Sequence, residues 1–170
     1  GERNMKRCGI LLPVFSLPGK YGIGSMGEEA YRFIDFLSDT GQNYWQILPL
    51  NPTSYGDSPY QSPSAFAGNP YFIDLDILLS DGLLTPEECE GERAATIDYD
   101  KLYRTRYAVL RKAYKRFCGR IPNSFYKFSV ANERWLKPYC LFMEQKEKNG
   151  GVAWKEWKDS SYSEQGEEEV

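Results

Sequence analysis

At 170 residues with 41% hydrophobic content, the chain is long enough to bury a core of its own. Its net charge of -3 provides no field for collecting nucleic acid or an anionic membrane surface, and no apolar run has the length of a membrane span. With no histidine and with Cys8, Cys89, Cys118 and Cys140 scattered outside any CxxC spacing, a zinc site and a histidine-based triad are both disfavoured.

The first segment, GERNMKR, lacks the apolar stretch of a signal peptide, so the cytoplasm is the expected compartment, and four unpaired thiols agree with it. Met5 lies just inside the start, and the fold is expected to begin after Gly1 to Asn4. Cys8 to Val14, CGILLPV, is a short apolar run closed by Pro13, which predicts a strand buried on both faces, as in a parallel sheet. Ser25 stands three residues before Glu28 in the pattern of a capping box, and Ala30, Phe33, Ile34 and Leu37 follow on one helical face up to Gly41. Tyr44 to Leu50, YWQILPL, repeats the pattern of the first strand. Strand, helix and strand at this separation predict a βαβ unit with a right-handed crossover.

The stretch Asn51 to Tyr71, NPTSYGDSPYQSPSAFAGNPY, is too broken for a helix or strand and too ordered in composition for a spacer. Pro59, Pro63 and Pro70 stiffen it, Gly56 and Gly68 let it turn, and Tyr55, Tyr60, Phe66 and Tyr71 alternate with Asp57, Ser58, Gln61 and Asn69. Flat aromatic faces beside short hydrogen-bonding groups suit a pyranose ring; a structural loop whose aromatics pack on the core is the alternative. Following the second strand of a parallel sheet, this loop is expected at the carboxyl end, where α/β proteins bind ligands. The segment GIGSMG, Gly22 to Gly27, matches GxGxxG, but SLPGKY separates it from the first strand and Leu50 and Asn51 stand where a ribose-binding acid belongs. A dinucleotide site is therefore disfavoured.

Beyond the loop, DLDILLS (Asp74 to Ser80) predicts a short helix or strand closed by Asp81 and Gly82, and Thr85, Pro86 and Glu88 form a helix start. From Asp98 to Cys118 the stripe Tyr103, Tyr107, Leu110, Tyr114 and Phe117 predicts a buried aromatic face, with Arg104, Arg111, Lys112, Lys115 and Arg116 on a solvated side. Ser124 to Lys148 reads as helix, kinked or split by Pro138 and ended by Asn149, with Trp154 and Trp157 docking back; SSYSEQGEEEV is expected to be a frayed tail. Asp57, before Ser and Pro, reads as a turn former rather than a catalytic acid.

Two pieces, GILLPVFSLPGKYGIGSMGEEAYRFIDFLSDTGQNYWQILPLNPTSYGDSPYQSPSAFAGNPYFIDLDILLSDGLL and WLKPYCLFMEQKEKNGGVAWKEW, resemble the amylomaltases, or 4-alpha-glucanotransferases (disproportionating enzymes). The second departs from the family pattern, which has an acidic residue after Trp and Leu where Lys137 and Pro138 follow here. The resemblance implies the N-terminal portion of a (β/α)8 TIM barrel, with its first two parallel strands and crossover helix over residues 5–73, a mainly helical insertion over 74–157 and a tail over 158–170. It also implies a retaining transglycosylase that moves α-1,4-glucan segments between malto-oligosaccharides, with no metal or organic cofactor and with no nucleic acid or membrane as partner. The catalytic carboxylates of the family lie on later strands, so no catalytic residue is expected in this chain and the chain alone is expected to be inactive. Carried over by motif, Tyr60 in SPYQS corresponds to the tyrosine that stacks on the sugar at the cleavage subsite, Ser58 is a hydrogen-bonding candidate beside it, and Tyr55 matches a secondary glucan site of some members. A non-catalytic α-glucan-binding module using the same aromatics is the alternative.

Overall fold

The computed structural model describes residues 7–53, 57–89, 91, 93 and 95–157, and divides the chain into two compact units, Gly1–Ile121 and Pro122–Val170. In the first unit β1 (Gly9–Leu11) and β2 (Tyr44–Gln46) pair in parallel, Ile10 opposite Trp45, with α1 (Glu28–Asp39) as the connection. The βαβ unit expected from the pattern is present, with strands shorter than the apolar runs. Pro13 has no N–H for the ladder, and Val14–Ser16 curl into a single 3-10 turn; pairing ends with Leu12 N–H on the Gln46 carbonyl at 3.0 Å.

Burial on both strand faces does not hold. Ile10 and Trp45 share the covered face, where Trp45 meets Phe33 of α1 edge-on at 5.0 Å, whereas Leu11 on the other face is 56% exposed. A sheet of two strands has one helix to cover it, so alternate side chains stay in solvent. Likewise on α1, Ala30 and Leu37 are buried and Phe33 is half-buried, but Ile34 is exposed. Gly41 stops the helix at φ 70°, letting its own N–H reach Ser38 and that of Gln42 reach Leu37, the paired bonds of a Schellman turn.

Two apolar clusters fill this unit. Val14, Leu17 and Ile23 from the loop after β1 pack with Ala30, Tyr71, Phe72 and Leu102; Leu75 and Leu84 pack with Cys89 and Ala113. DLDILLS is helix α2 (Leu75–Ser80), because Asp74 Oδ1 accepts from the Asp76 and Ile77 N–H groups, at 2.8 and 3.2 Å, as an N-cap. Thr85 to Glu88 gives one 3-10 turn instead of a helix.

Helix α3 (Tyr99–Phe117) starts at the Asp98 cap, and the expected aromatic stripe makes only part of its buried face: Tyr107, Leu110 and Phe117 are half-buried, Tyr107 and Leu110 against the two clusters. Leu102, Arg106 and Ala113 point inward, while Tyr103 and Tyr114 are 65% and 63% exposed. The inward face takes in Arg106, whose guanidinium donates to the carbonyls of both Tyr21 and Ile73, two acceptors that a single tyrosine hydroxyl could not serve together. The basic residues Arg104, Arg111, Lys112, Lys115 and Arg116 are exposed as expected.

Arg116 grips the Glu88 carboxylate bidentately, at 2.6 and 3.0 Å, and Thr85 N–H adds a bond of 3.0 Å. Arg116 first and the Thr85 N–H second hold the Glu88 carboxyl at about 2, against an ordinary 4.5. A folded value below the unfolded one means that the stabilisation is complete above pH 4.5 and is lost as pH falls through about 2. In thermal unfolding, the Tm gap between the wild type and Glu88→Gln is expected to be flat near neutrality and to close across that acid window. A gap independent of pH would mean that the pair does not stabilise the fold.

In the second unit, α4 (Asn123–Ala131) and α5 (Glu133–Lys148) are split at Asn132 and not at Pro138. The Asn132 amide donates to the Phe128 carbonyl at 2.8 Å and so caps the end of α4; α5 runs on through Pro138, giving up the bond its nitrogen cannot make. Phe128, Trp135 and Tyr139 contact in series, each pair at 6.5 Å. Trp157 docks on Phe142 at 5.4 Å, but Trp154 is 64% exposed with Lys155 over its ring. The tail expected over 158–170 lies outside the described residues. Among the described residues no helix is long and apolar enough to cross a membrane.

Candidate functional site

Because β1 and β2 are parallel, the loops that follow them emerge at the same end of the sheet. The second loop is clasped at its base. Asn69 N–H donates to the Leu50 carbonyl at 2.8 Å and the Asn51 amide to the Ala67 carbonyl at 3.3 Å, while Asn69 Oδ1 accepts from Tyr71 N–H at 3.0 Å to start the turn Pro70–Phe72. Short side chains organise the rest: Ser64 Oγ accepts from the N–H groups of Phe66 and Ala67, at 3.1 and 3.0 Å. Tyr71 and Phe72 anchor the loop in the core.

Tyr60 projects from this frame, 73% exposed, with its N–H on Ser58 Oγ at 3.3 Å and Gln61 N–H on the Ser58 carbonyl at 3.2 Å. Ser58 therefore shapes the turn that presents the ring. Among the described residues of the loop, Phe66 is also exposed, at 71%. The structure thus brings Tyr60 and Ser58 together; Tyr55 lies outside the described residues. Asp57 takes φ 52°, a left-handed conformation that aspartate tolerates in turns, and burial, with Asp100 adding to it, pushes its carboxyl above the ordinary value. Tyr71 touches Tyr107 at 5.8 Å and Tyr99 at 6.3 Å, and burial raises its phenol.

The two loops are stitched together. Met26 N–H donates to the Phe72 carbonyl at 3.0 Å, Ser25 Oγ to Asp74 Oδ2 at 2.5 Å, and Tyr21 Oη and Lys20 Nζ to the two Asp76 oxygens at 2.6 and 2.7 Å. Ser25 is thus not the N-cap of α1. Gly27 is, since the helix opens at Glu28, two residues too far along for the expected box. The Asp74 carboxylate lies against Gly27, where a Cβ would collide with it, so a carboxylate already stands at the end of the helix that a GxGxxG site would offer to a phosphate. Arg106 straddles both loops, with Nη2 on the Tyr21 carbonyl at 2.9 Å and Nη1 on the Ile73 carbonyl at 3.2 Å. Its only sequence signal is its place four residues after Leu102, which a hydrophobic stripe assigns to an apolar residue. No cluster of residues able to hold a metal ion occurs among the described residues.

The family model for 4-alpha-glucanotransferase matches residues 12–170. The chain belongs to the 4-alpha-glucanotransferase family. It is 51% identical over 161 residues to the 4-alpha-glucanotransferase of Streptococcus pneumoniae serotype 4, covering 91% of this chain and 32% of the relative. With that of Clostridium butyricum it shares 52% over 148 residues, covering 85% and 30%. Among solved structures, the amylomaltase from Streptococcus agalactiae in complex with acarbose superimposes with a TM-score of 0.83 at 41% identity, over 91% of this chain and 32% of that one. The chain thus spans about a third of the length of the 4-alpha-glucanotransferases it matches, and its two parallel strands and helices form the N-terminal portion of their TIM barrel. The fold and family expected from the two resembling pieces are those found.

Proposed function

We propose that the full-length protein of this 4-alpha-glucanotransferase family chain transfers α-1,4-glucan segments between malto-oligosaccharides by retaining double displacement. The observation that carries this reading is Tyr60, an exposed ring held at the carboxyl end of β2 by a clasped, proline-stiffened loop. Its face takes the apolar side of a glucosyl ring at the cleavage subsite, and the Ser58 hydroxyl beside it serves the sugar's edge. Tyr55, on the same loop, is assigned to a secondary glucan contact. That an amylomaltase of the same fold was solved in complex with acarbose supports a glucan-like ligand for the protein.

Retaining chemistry needs a carboxylate nucleophile and an acid/base carboxyl about 5 Å apart, and we assign both to the part of the family's length that this chain does not span. In the intact protein we assign 5–73 to the barrel and 74–157 to a helical insertion. The cytoplasm, with its α-glucan stores and reduced thiols, is the proposed place of action. The test is maltotriose: the full-length protein is expected to yield glucose together with longer malto-oligosaccharides, and the 170-residue chain alone no glucose above a protein-free control. Glucan binding without transfer by the full-length protein would instead identify a binding module.

A further inference from the structure

The geometry points to Arg106 as a positioning residue that sets the pitch of the sugar-binding loop, locking it through α3 to the loop after β1. The inference rests on the assignment of Tyr60 to the sugar. Arg106 is 4% exposed, and its two guanidinium nitrogens reach one carbonyl from each loop: Tyr21 in the first, and Ile73 at the end of the turn that anchors the second. A planar fork of donors fixes the separation and direction of two acceptors at once, which an apolar core residue cannot do and a lysine, as a point charge, does only for one.

Burying this cation is costly. Burial pushes its pKa below the ordinary value, opposed chiefly by the nearby Asp74 charge, and the guanidinium's bonds within the core are to neutral carbonyls. A leucine or methionine would fill the position at lower cost if volume were the only requirement. What the guanidinium adds is register between the two loops, beside a seam already formed by Met26 on Phe72 and Ser25 on Asp74. A displacement of about 1 Å in a substrate-positioning group is enough to lower a rate by up to about a hundredfold.

The test uses Arg106→Lys in the full-length protein. Its kcat for maltotriose disproportionation is expected to fall about tenfold with KM within about twofold of wild type, the mark of lost transition-state alignment. Hydrogen exchange of the Asn69, Tyr71, Phe72 and Ile73 amides is expected to speed up while the α1 amides keep wild-type rates. In a Tyr60→Ala background the same substitution is expected to change kcat by less than about twofold, because the two act through one contact. An equal loss in both backgrounds, an unchanged kcat, or exchange that rises evenly through the unit would overturn the proposal. Failure of both Arg106→Lys and Arg106→Gln to fold would overturn it too, since Arg106 would then be a plain core requirement. If Tyr60→Ala alone leaves kcat unchanged, the assignment of Tyr60 fails, and the exchange pattern still decides whether Arg106 holds the loop.

Discussion

Tyr60→Ala in the full-length protein is expected to lower kcat and kcat/KM together by about 30-fold, the equivalent of about 2 kcal/mol of stacking withdrawn from the transition state. The ring is exposed and its turn is held by Ser58 and by the clasp at Asn51 and Asn69, so removing it leaves the loop's own hydrogen bonds in place. Glycosyl transfer passes through an oxocarbenium-like state, and the electron-rich face of a tyrosine favours positive charge that is absent from the bound substrate. Only an interaction stronger in the transition state than in the ground state lowers kcat. Tyr60→Phe keeps the face and loses the hydroxyl, and is expected to stay within about fivefold of wild type. A rise in KM with kcat unchanged would make Tyr60 a uniform binding contact and remove it from the cleavage subsite.

The stiff points and turns of this loop are legible in the sequence because their information is local. Proline and glycine fix backbone freedom wherever they stand, and an aromatic among them either packs or projects; Tyr71 does the first and Tyr60 the second. The strands were legible as a pair and not at their ends, since the apolar runs continue past Pro13 and Gln46 into residues that pack as loop: Val14 lies in the core without belonging to the ladder. The inward face of helix α3 is only partly legible, for a different reason. Hydrophobic periodicity assigns a face by side-chain polarity, and a buried arginine inverts that sign; the carbonyls of Tyr21 and Ile73 that make the burial tolerable are 85 and 33 residues away in sequence. Asn132 shows the same limit on a smaller scale, for its side chain caps α4 while Pro138 passes without a break.

Gly24→Ala is expected to destabilise the first unit by about 3 kcal/mol, at the upper end of the usual cost of overpacking. A Cβ added at Gly24 would run into the Val14 carbonyl oxygen and lie 2.8 and 2.9 Å from the backbone O and N of Leu17. None of these atoms is the end of a flexible side chain. The chain around them is fixed, because Val14 and Leu17 are core residues and Gly24 N–H donates to the Phe15 carbonyl at 3.2 Å. Gly119→Ala, where nothing lies within 4 Å, is the control and is expected to change stability by less than about 1 kcal/mol, with a small gain from reduced unfolded-state freedom. Urea unfolding followed by circular dichroism distinguishes them, and equal midpoints would contradict this account. The result bears on function as well as stability: in GIGSMG, Gly24 serves close backbone packing and Gly27 leaves room for the Asp74 carboxylate. The spacing that matches a nucleotide fingerprint is thus explained by the seam between two loops, with no phosphate required.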